Sequence, residues 1–342
     1  SYDQNEMYGE NYGYRSGLNK SMVKHLKLKA TYLEKKYLLG SEDVVIDIGS
    51  NDATLLKSYT NKRLKRIGID PVGGKFKRYY DEQIELIPDF FSSKILKRHF
   101  DKKQAKLITS IAMFYDLEKP LTFISDIYKT LASDGIWHFE QSYMPLMLKM
   151  NSYDTICHEH LEYYSLLNIK LLLEKCDMKI IDVQINSING GSFAVTACKK
   201  KSLYKPNNAL INFLLDNEMN MNLDTLEPFQ QFNDKIIKHR NDLKKLLGDL
   251  ISDGKKVIGY GASTKGNVLL QFCNFSEKEL TCIAEVNEEK FGLLTPGTNI
   301  PIVSEKEAKA MNPDYMLVLP WHFKDNIILR ETDYLKKGKK LI

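Results

Sequence analysis

The chain has 342 residues with 49 Lys and Arg against 44 Asp and Glu, a formal charge of +5, and is 43% hydrophobic and 27% charged. That composition is globular and long enough for two domains, and no apolar run approaches the ~20 residues that a membrane span needs. Its basic residues are interrupted by acids throughout, which excludes a nucleic-acid footprint, and its five scattered cysteines contain no C-x-x-C pair, so neither a disulfide framework nor a zinc knuckle is expected.

The first twenty residues have neither an apolar signal core nor an Arg-rich transit pattern, so a cytoplasmic protein is expected. Opening without Met and closing on KKGKKLI, the sequence reads as part of a longer protein. Tyr2, Tyr8, Tyr12 and Tyr14 stand among glycines beside Arg15. An arm over residues 1–30 is too polar for a core and too aromatic for a plain tail, so a lid over a sugar or nucleotide is expected, with simple surface packing as the alternative. On that reading Tyr12 and Arg15 contact substrate.

From residue 43, DVVIDIGSNDATLLKSY reads as strand, Gly-containing turn and helix, and KRIGIDP at 65–71 supplies a second strand that ends on an acid. IELIPDFFS at 84–92, AKLITSIAMFYDL at 105–117 and GIWHFEQS at 135–142 fall where a parallel sheet needs strands, with a helix predicted over 121–135 and stopped by Gly135. A helix over 166–175 and two alternating strands around Asn189-Gly190-Gly191 finish the sheet in antiparallel fashion. The fold class is therefore α/β, a doubly wound Rossmann-like domain over 31–202. A helical connector is expected over 203–252, then a second Rossmann-like α/β domain over 253–342, where KKVIGYGASTKGNVLLQF repeats the strand, Gly-loop, helix formula. TCIAEV, DYMLVLPW and a final KKLI supply its further strands.

Three constellations carry chemistry. The first loop lacks the G-x-G-x-x-G spacing of a pyrophosphate cradle, which disfavours a nicotinamide cofactor. It offers instead Asp47 at one strand end, Gly49 in the turn and Asp70 at the next strand end, which suit a ligand with a ribose diol and an amino-acid moiety. That is the profile of S-adenosyl-L-methionine, with S-adenosyl-L-homocysteine as product. Ser50, Asn51, Pro71, Asp89, Phe90 and Ser110 complete the expected donor set, Phe90 flanking the adenine; a bare capped turn is the plainer alternative. In the second loop, Ser263, Thr264 and Lys265 open a helix followed by Asn267, so N–H groups, a helix dipole and an ammonium converge on phosphate oxygens. This suggests a substrate carrying a diphosphate. The third is YDTICHEHLEYYS at 153–165, where His158, Glu159 and His160 make an incomplete metal site and a better acid–base cluster. No metal is expected. Gln141 and Tyr143, at the end of the preceding strand, are placed to orient substrate.

Taken in order, VVIDIGSNDAT, EQSY, CHEHLEYYS, NGGSF, GYGASTKGN and LLTPGTNIPI resemble the nucleotide-sugar C-methyltransferases of deoxysugar biosynthesis along essentially the whole chain. The resemblance implies a central S-adenosylmethionine domain, a C-terminal Rossmann-like domain, and in front of them a zinc-binding module that this sequence does not contain. It implies methyl transfer to a ring carbon, usually C3, of a nucleoside-diphosphate 4-keto-6-deoxy sugar by way of an enolate. His160 matches the family's general base, Glu159 the acid that assists it, and Tyr14 or Tyr12 the arm tyrosine. Two departures stand out: Cys157 replaces a tyrosine, and Phe114-Tyr115-Asp116 replaces a histidine-bearing loop. They leave open the acceptor position and O-methylation of a nucleotide sugar or related sugar; a non-catalytic sugar-nucleotide binder is a separate alternative, against which the intact Asp47, Asp70 and His160 argue. Monomer and homo-oligomer stay equally open.

Overall fold

The computed structural model describes residues 7, 13–99 and 104–342. Tyr2, Tyr8 and Tyr12 lie outside the described residues. By their contacts the described residues fall into two units, one of residues up to 144 with 161–186 and 192–220, the other of 145–160, 187–191 and 221–342. Among the described residues no helix is long and apolar enough to cross a membrane.

The first unit is organised by a seven-stranded sheet: β1 (Val44–Ile48), β2 (Lys65–Ile69), β3 (Ile84–Ile87), β4 (Ala105–Ile111), β5 (Leu131–Ser142), β6 (Met178–Asn186) and β7 (Ser192–Lys199). The order is β3-β2-β1-β4-β5-β7-β6. β1 to β5 pair in parallel, and β7 runs antiparallel to both of its neighbours. All five residues of β1 are buried, as a central strand covered on both faces requires. A helix over Lys20–Lys36, capped by the Asn19 side chain, runs straight across the expected end of the arm at residue 30.

The helix predicted to run to Gly135 stops at Thr130, and the chain enters β5 at once. Gly135 has a different task. Between the pairs Ala105 with Leu131 and Leu107 with Ile136 the register shifts, and a Cβ at 135 would lie 2.5 Å from the Ala105 carbonyl oxygen. The glycine lets two backbones approach at a bulge.

The second unit holds an all-parallel sheet of β8 (Val257–Tyr260), β9 (Ile283–Glu285), β10 (Ile302–Ser304), β11 (Tyr315–Val318) and β12 (Lys340–Leu341), in the order β10-β9-β8-β11-β12. KKLI supplies a fifth strand rather than a fourth. β10, three residues long and next to Pro301, carries too little pattern to be read beforehand. The predicted connector divides: the helix Asn208–Asn220 goes with the first unit and Glu227–Ser252 with the second. Buried Glu218 fixes the former, accepting from the Leu167 N–H at 2.9 Å and from Tyr143 Oη at 2.6 Å.

Substituting Gly135→Ala should cost about 1–3 kcal/mol, because the clash is with backbone. Urea midpoints compare the two proteins; an unchanged midpoint would contradict the close approach.

Candidate active site

In the first unit the turn after β1 is built from left-handed residues, Gly49 at φ +73°, Asn51 at +51° and Ala53 at +60°. The Gly49 N–H donates to the Ile69 carbonyl at 2.8 Å. The Asp70 carboxylate accepts from the Asn51 N–H and from the Val72 N–H, both at 2.8 Å. Each oxygen keeps a second lone pair, as an acceptor for a ribose diol needs. Asp47 accepts from Thr109 Oγ1 at 2.6 Å, and burial, only partly offset by that bond and reinforced by the charge of Asp70, pushes its carboxyl up to about 7. Burial likewise raises Asp70 against its two backbone donors. Among the described residues neither acid has an ion-pair partner. Two buried carboxylates with no cation are the environment that a ligand bearing a sulfonium and an ammonium would satisfy, so the residues present fit S-adenosylmethionine.

Ser50 Oγ lies 2.7 Å from Tyr80 Oη, which also donates to the Asn51 carbonyl at 2.9 Å. Pro71 is half-buried beside Asp70, and Asp89 and Phe90 are exposed beyond β3, with Asp89 accepting from the Phe90 N–H at 2.7 Å. Ser110 is a correction: its hydroxyl is buried and accepts from the Trp137 indole at 2.9 Å, turned into the core. Tyr143 is another, since its hydroxyl is spent on Glu218 and its ring packs 4.7 Å from Phe193. Gln141 is buried, with both ends of its amide unpartnered among the described residues, which leaves it suited to a ligand. Tyr14 is 48% exposed, and Arg15 stacks on Tyr79. Phe114, where the resemblance expects a histidine loop, packs between Trp137 and Tyr164 instead.

The part of the acid–base segment up to His160 is grouped with the second unit, and residues 161–165 return to the first. Tyr153 explains why, packing on Phe272 at 5.2 Å and bonding His239 Nδ1 at 3.1 Å. His160 Nδ1 lies 2.7 Å from the Thr155 carbonyl, so Nδ1 carries the proton and Nε2 the basic lone pair. Burial lowers its pKa to about 4, opposed by that bond and reinforced by the Lys265 ammonium. Glu159 is raised by burial. His158 is exposed. Cys157, Glu159 and His160 bring ligand atoms within 4.8 Å of one another, a grouping with the geometry to hold a metal ion. Lys265 does not extend along the helix Thr264–Cys273; its Nζ donates to the Asn189 carbonyl at 2.7 Å, with Asp154 close enough to stabilise its charge. Ser263 caps that helix, accepting from the Gly266 N–H at 3.0 Å, while Thr264 is exposed and Asn267 half-buried.

Several residues escaped sequence reading. Asp154 accepts from the Trp321 indole at 2.8 Å, and His322 is lowered to about 3 by burial and by Lys265. Asp154 stands inside the 153–165 segment but is overshadowed there by its histidines, and His322 lies in a plain apolar stretch; the proximity of Lys265 singles both out.

Residues 22–183 match the methyltransferase domain family, and residues 187–342 match the C-methyltransferase C-terminal domain family. The C-methyltransferase NovU of Streptomyces niveus is 28% identical over 326 residues, which cover 94% of this chain and 77% of NovU. Among solved structures, an S-adenosylmethionine-dependent methyltransferase from Clostridium acetobutylicum aligns with a TM-score of 0.40 at 13% identity, covering 52% of this chain and 92% of that one. A putative methyltransferase bound to the Haloferax volcanii Trm112 activator aligns with a TM-score of 0.41 at 14% identity, covering 53% of this chain and 95% of that one. The strand order itself, rather than these distant likenesses, carries the fold. The chain is an S-adenosylmethionine-dependent methyltransferase. The match to a methyltransferase domain is followed directly by the match to the C-terminal domain of the C-methyltransferases, an order that supports a C-methyltransferase of this type.

Asp70→Ala should weaken S-adenosylhomocysteine binding about 10–100-fold, the loss expected for a hydrogen-bonded charged acceptor. Calorimetric titration reads it; unchanged affinity would remove Asp70 from the donor site.

Proposed function

We propose that the protein methylates a carbon next to the ketone, C3, of a nucleoside-diphosphate 4-keto-6-deoxy sugar, with His160 as the base. The observation that carries this reading is the state of His160: its tautomer is fixed by the Thr155 carbonyl, and burial keeps it neutral. Bound S-adenosylmethionine supplies an electrophilic methyl group. His160 Nε2 takes the proton from the acceptor carbon, and the electron pair moves onto the ketone oxygen as an enolate, whose carbon then bonds the methyl group as the sulfur–methyl bond breaks, its electron pair staying on sulfur in the leaving S-adenosylhomocysteine.

Lys265 supports an anionic acceptor, offering its ammonium to diphosphate oxygens together with the helix N-terminus at Ser263 and Thr264. The same ammonium depresses the basicity of His160. An acceptor that neutralises Lys265 therefore strengthens the base as it binds, so proton abstraction is favoured when substrate is in place. Glu159 assists the base, and Asn267, on the helix that Ser263 caps, hydrogen-bonds the acceptor; Gln141, Tyr14 and Arg15 are the candidates of the first unit. A cytoplasmic location and a place in deoxysugar synthesis accompany this reading.

With dTDP-4-keto-6-deoxyglucose as probe, His160→Ala should lose about 10²–10⁴-fold in turnover while binding S-adenosylhomocysteine as before. Full activity in the variant would remove the base. Protonation abolishes the lone pair, so activity is present above the His160 pKa and is lost as pH falls through it. In the unmodified enzyme the acid limb of kcat/KM should therefore fall near pH 4. A limb at 6.5, the value of an ordinary imidazole, would show that the base is not buried as described.

A further inference from the structure

We propose that residues Tyr14–Gly17 form a latch on the donor loop, so that the arm positions Asn51, and through Asn51 the Asp70 carboxylate, for S-adenosylmethionine. The Ser16 N–H donates to Asn51 Oδ1 at 3.0 Å, and Asn51 Nδ2 donates to the Tyr14 carbonyl at 3.0 Å. One residue further on, the Gly17 N–H donates to Asp52 Oδ2 at 3.0 Å. Any side chain at position 17 would run into that carboxylate. The Arg15 guanidinium lies 4.5 Å from the Tyr79 ring centroid and 3.7 Å from Asp52 Oδ2, closing the fourth side of the contact.

Asn51 is the hinge of the argument because its two ends do different work. Its main chain serves the donor site, donating to Asp70 Oδ2 and accepting from Tyr80 Oη. Both polar atoms of its side chain go to main-chain groups of the arm. It holds a left-handed φ of +51°, a conformation that glycine adopts without penalty and asparagine tolerates. An asparagine here supplies what glycine lacks, namely two hydrogen bonds to the arm. The latch is thus a positioning device for the donor loop, separate from any contact that the arm makes with the acceptor. Coupling of this kind is reciprocal: if a closed latch strengthens donor binding, bound donor must hold the latch closed to the same degree.

Asn51→Gly separates the two roles, keeping the turn and deleting both bonds to the arm; Gly17→Val forces the arm away from Asp52 by an independent route. Both variants of the full chain should bind S-adenosylhomocysteine about tenfold more weakly in calorimetry, through faster dissociation in stopped flow, with the ligand-free melting temperature of Asn51→Gly near that of the unmodified protein. Trypsin cleavage after Arg15 reads the latch without reference to catalysis. Bound S-adenosylhomocysteine should slow that cut in the unmodified protein and leave it fast in both variants. Affinities within about twofold of the unmodified protein in both variants, or a cut after Arg15 that ignores the ligand in the unmodified protein, would overturn the proposal.

Discussion

The turn that follows β1 holds three left-handed residues within five positions, two of them carrying side chains. Each side-chain-bearing residue in that region costs of order 1–2 kcal/mol, so the turn exists only because its surroundings dictate it. The decisive restraint is the Asp70 carboxylate, which takes the Asn51 N–H on one oxygen and the Val72 N–H on the other. It thereby ties the loop after the first strand to the end of the second, and Tyr80 closes the same loop from below through Ser50 and the Asn51 carbonyl. Every expected donor contact is referred to this tie.

The second unit repeats the device. The Gly261 N–H donates to the Ala284 carbonyl at 2.8 Å, as the Gly49 N–H donates to that of Ile69, and Gly261 likewise has φ of +87°. Glu285, at the end of its second strand, accepts from the Ala262 N–H on one oxygen at 2.7 Å and from the Val286 and Asn287 N–H groups on the other at 2.7 and 2.9 Å. The longer side chain reaches one more donor than Asp70 does, so Glu285 is the more fully saturated by its own backbone. The shared formula of strand, glycine turn, helix and strand-end acid is a way of fixing a loop. The groups that distinguish the two loops are carboxylate lone pairs in the first unit and the Lys265 ammonium, held by the Asn189 carbonyl, in the second.

Long β-branched runs made β1, β2, β4 and β8 legible in the sequence, since central parallel strands must be apolar on both faces. Asp47 and Asp70 stood out as candidate donor acids for a related reason: an acid ending such a run has few roles in a core. What escaped was decided by contacts between distant positions. Gly135 looked like a helix stop because its sequence neighbours fit one, whereas the Ala105 carbonyl that requires a glycine is thirty residues away. Tyr143 looked like a substrate contact because it follows a strand end; Glu218, which claims its hydroxyl, lies in a helix whose burial no local pattern announces. His160 stood out as a candidate base through its neighbours in H-E-H, but its grouping with the second unit depends on Tyr153 finding Phe272 and His239.

Two acids of the first sheet show how partners, rather than burial, separate structure from function. Glu140 is as buried as Asp47, yet the bonds and charges of His25 and Lys29 outweigh the burial that would raise it and hold it down to about 2. Asn186 Nδ2 adds a further donor at 2.7 Å. Its folded pKa lies below its unfolded value, so it contributes stability at neutral pH that is lost only as pH falls through about 2. Asp47 shifts the other way. With its folded pKa near 7, the native state binds the extra proton, and this group's contribution to stability declines as pH rises from about 4 toward 7. A fold that needed Asp47 only as packing would do better with an amide or an apolar residue there. On the proposed reading the carboxylate is kept at a cost in the free protein because a positively charged ligand would offset that cost on binding.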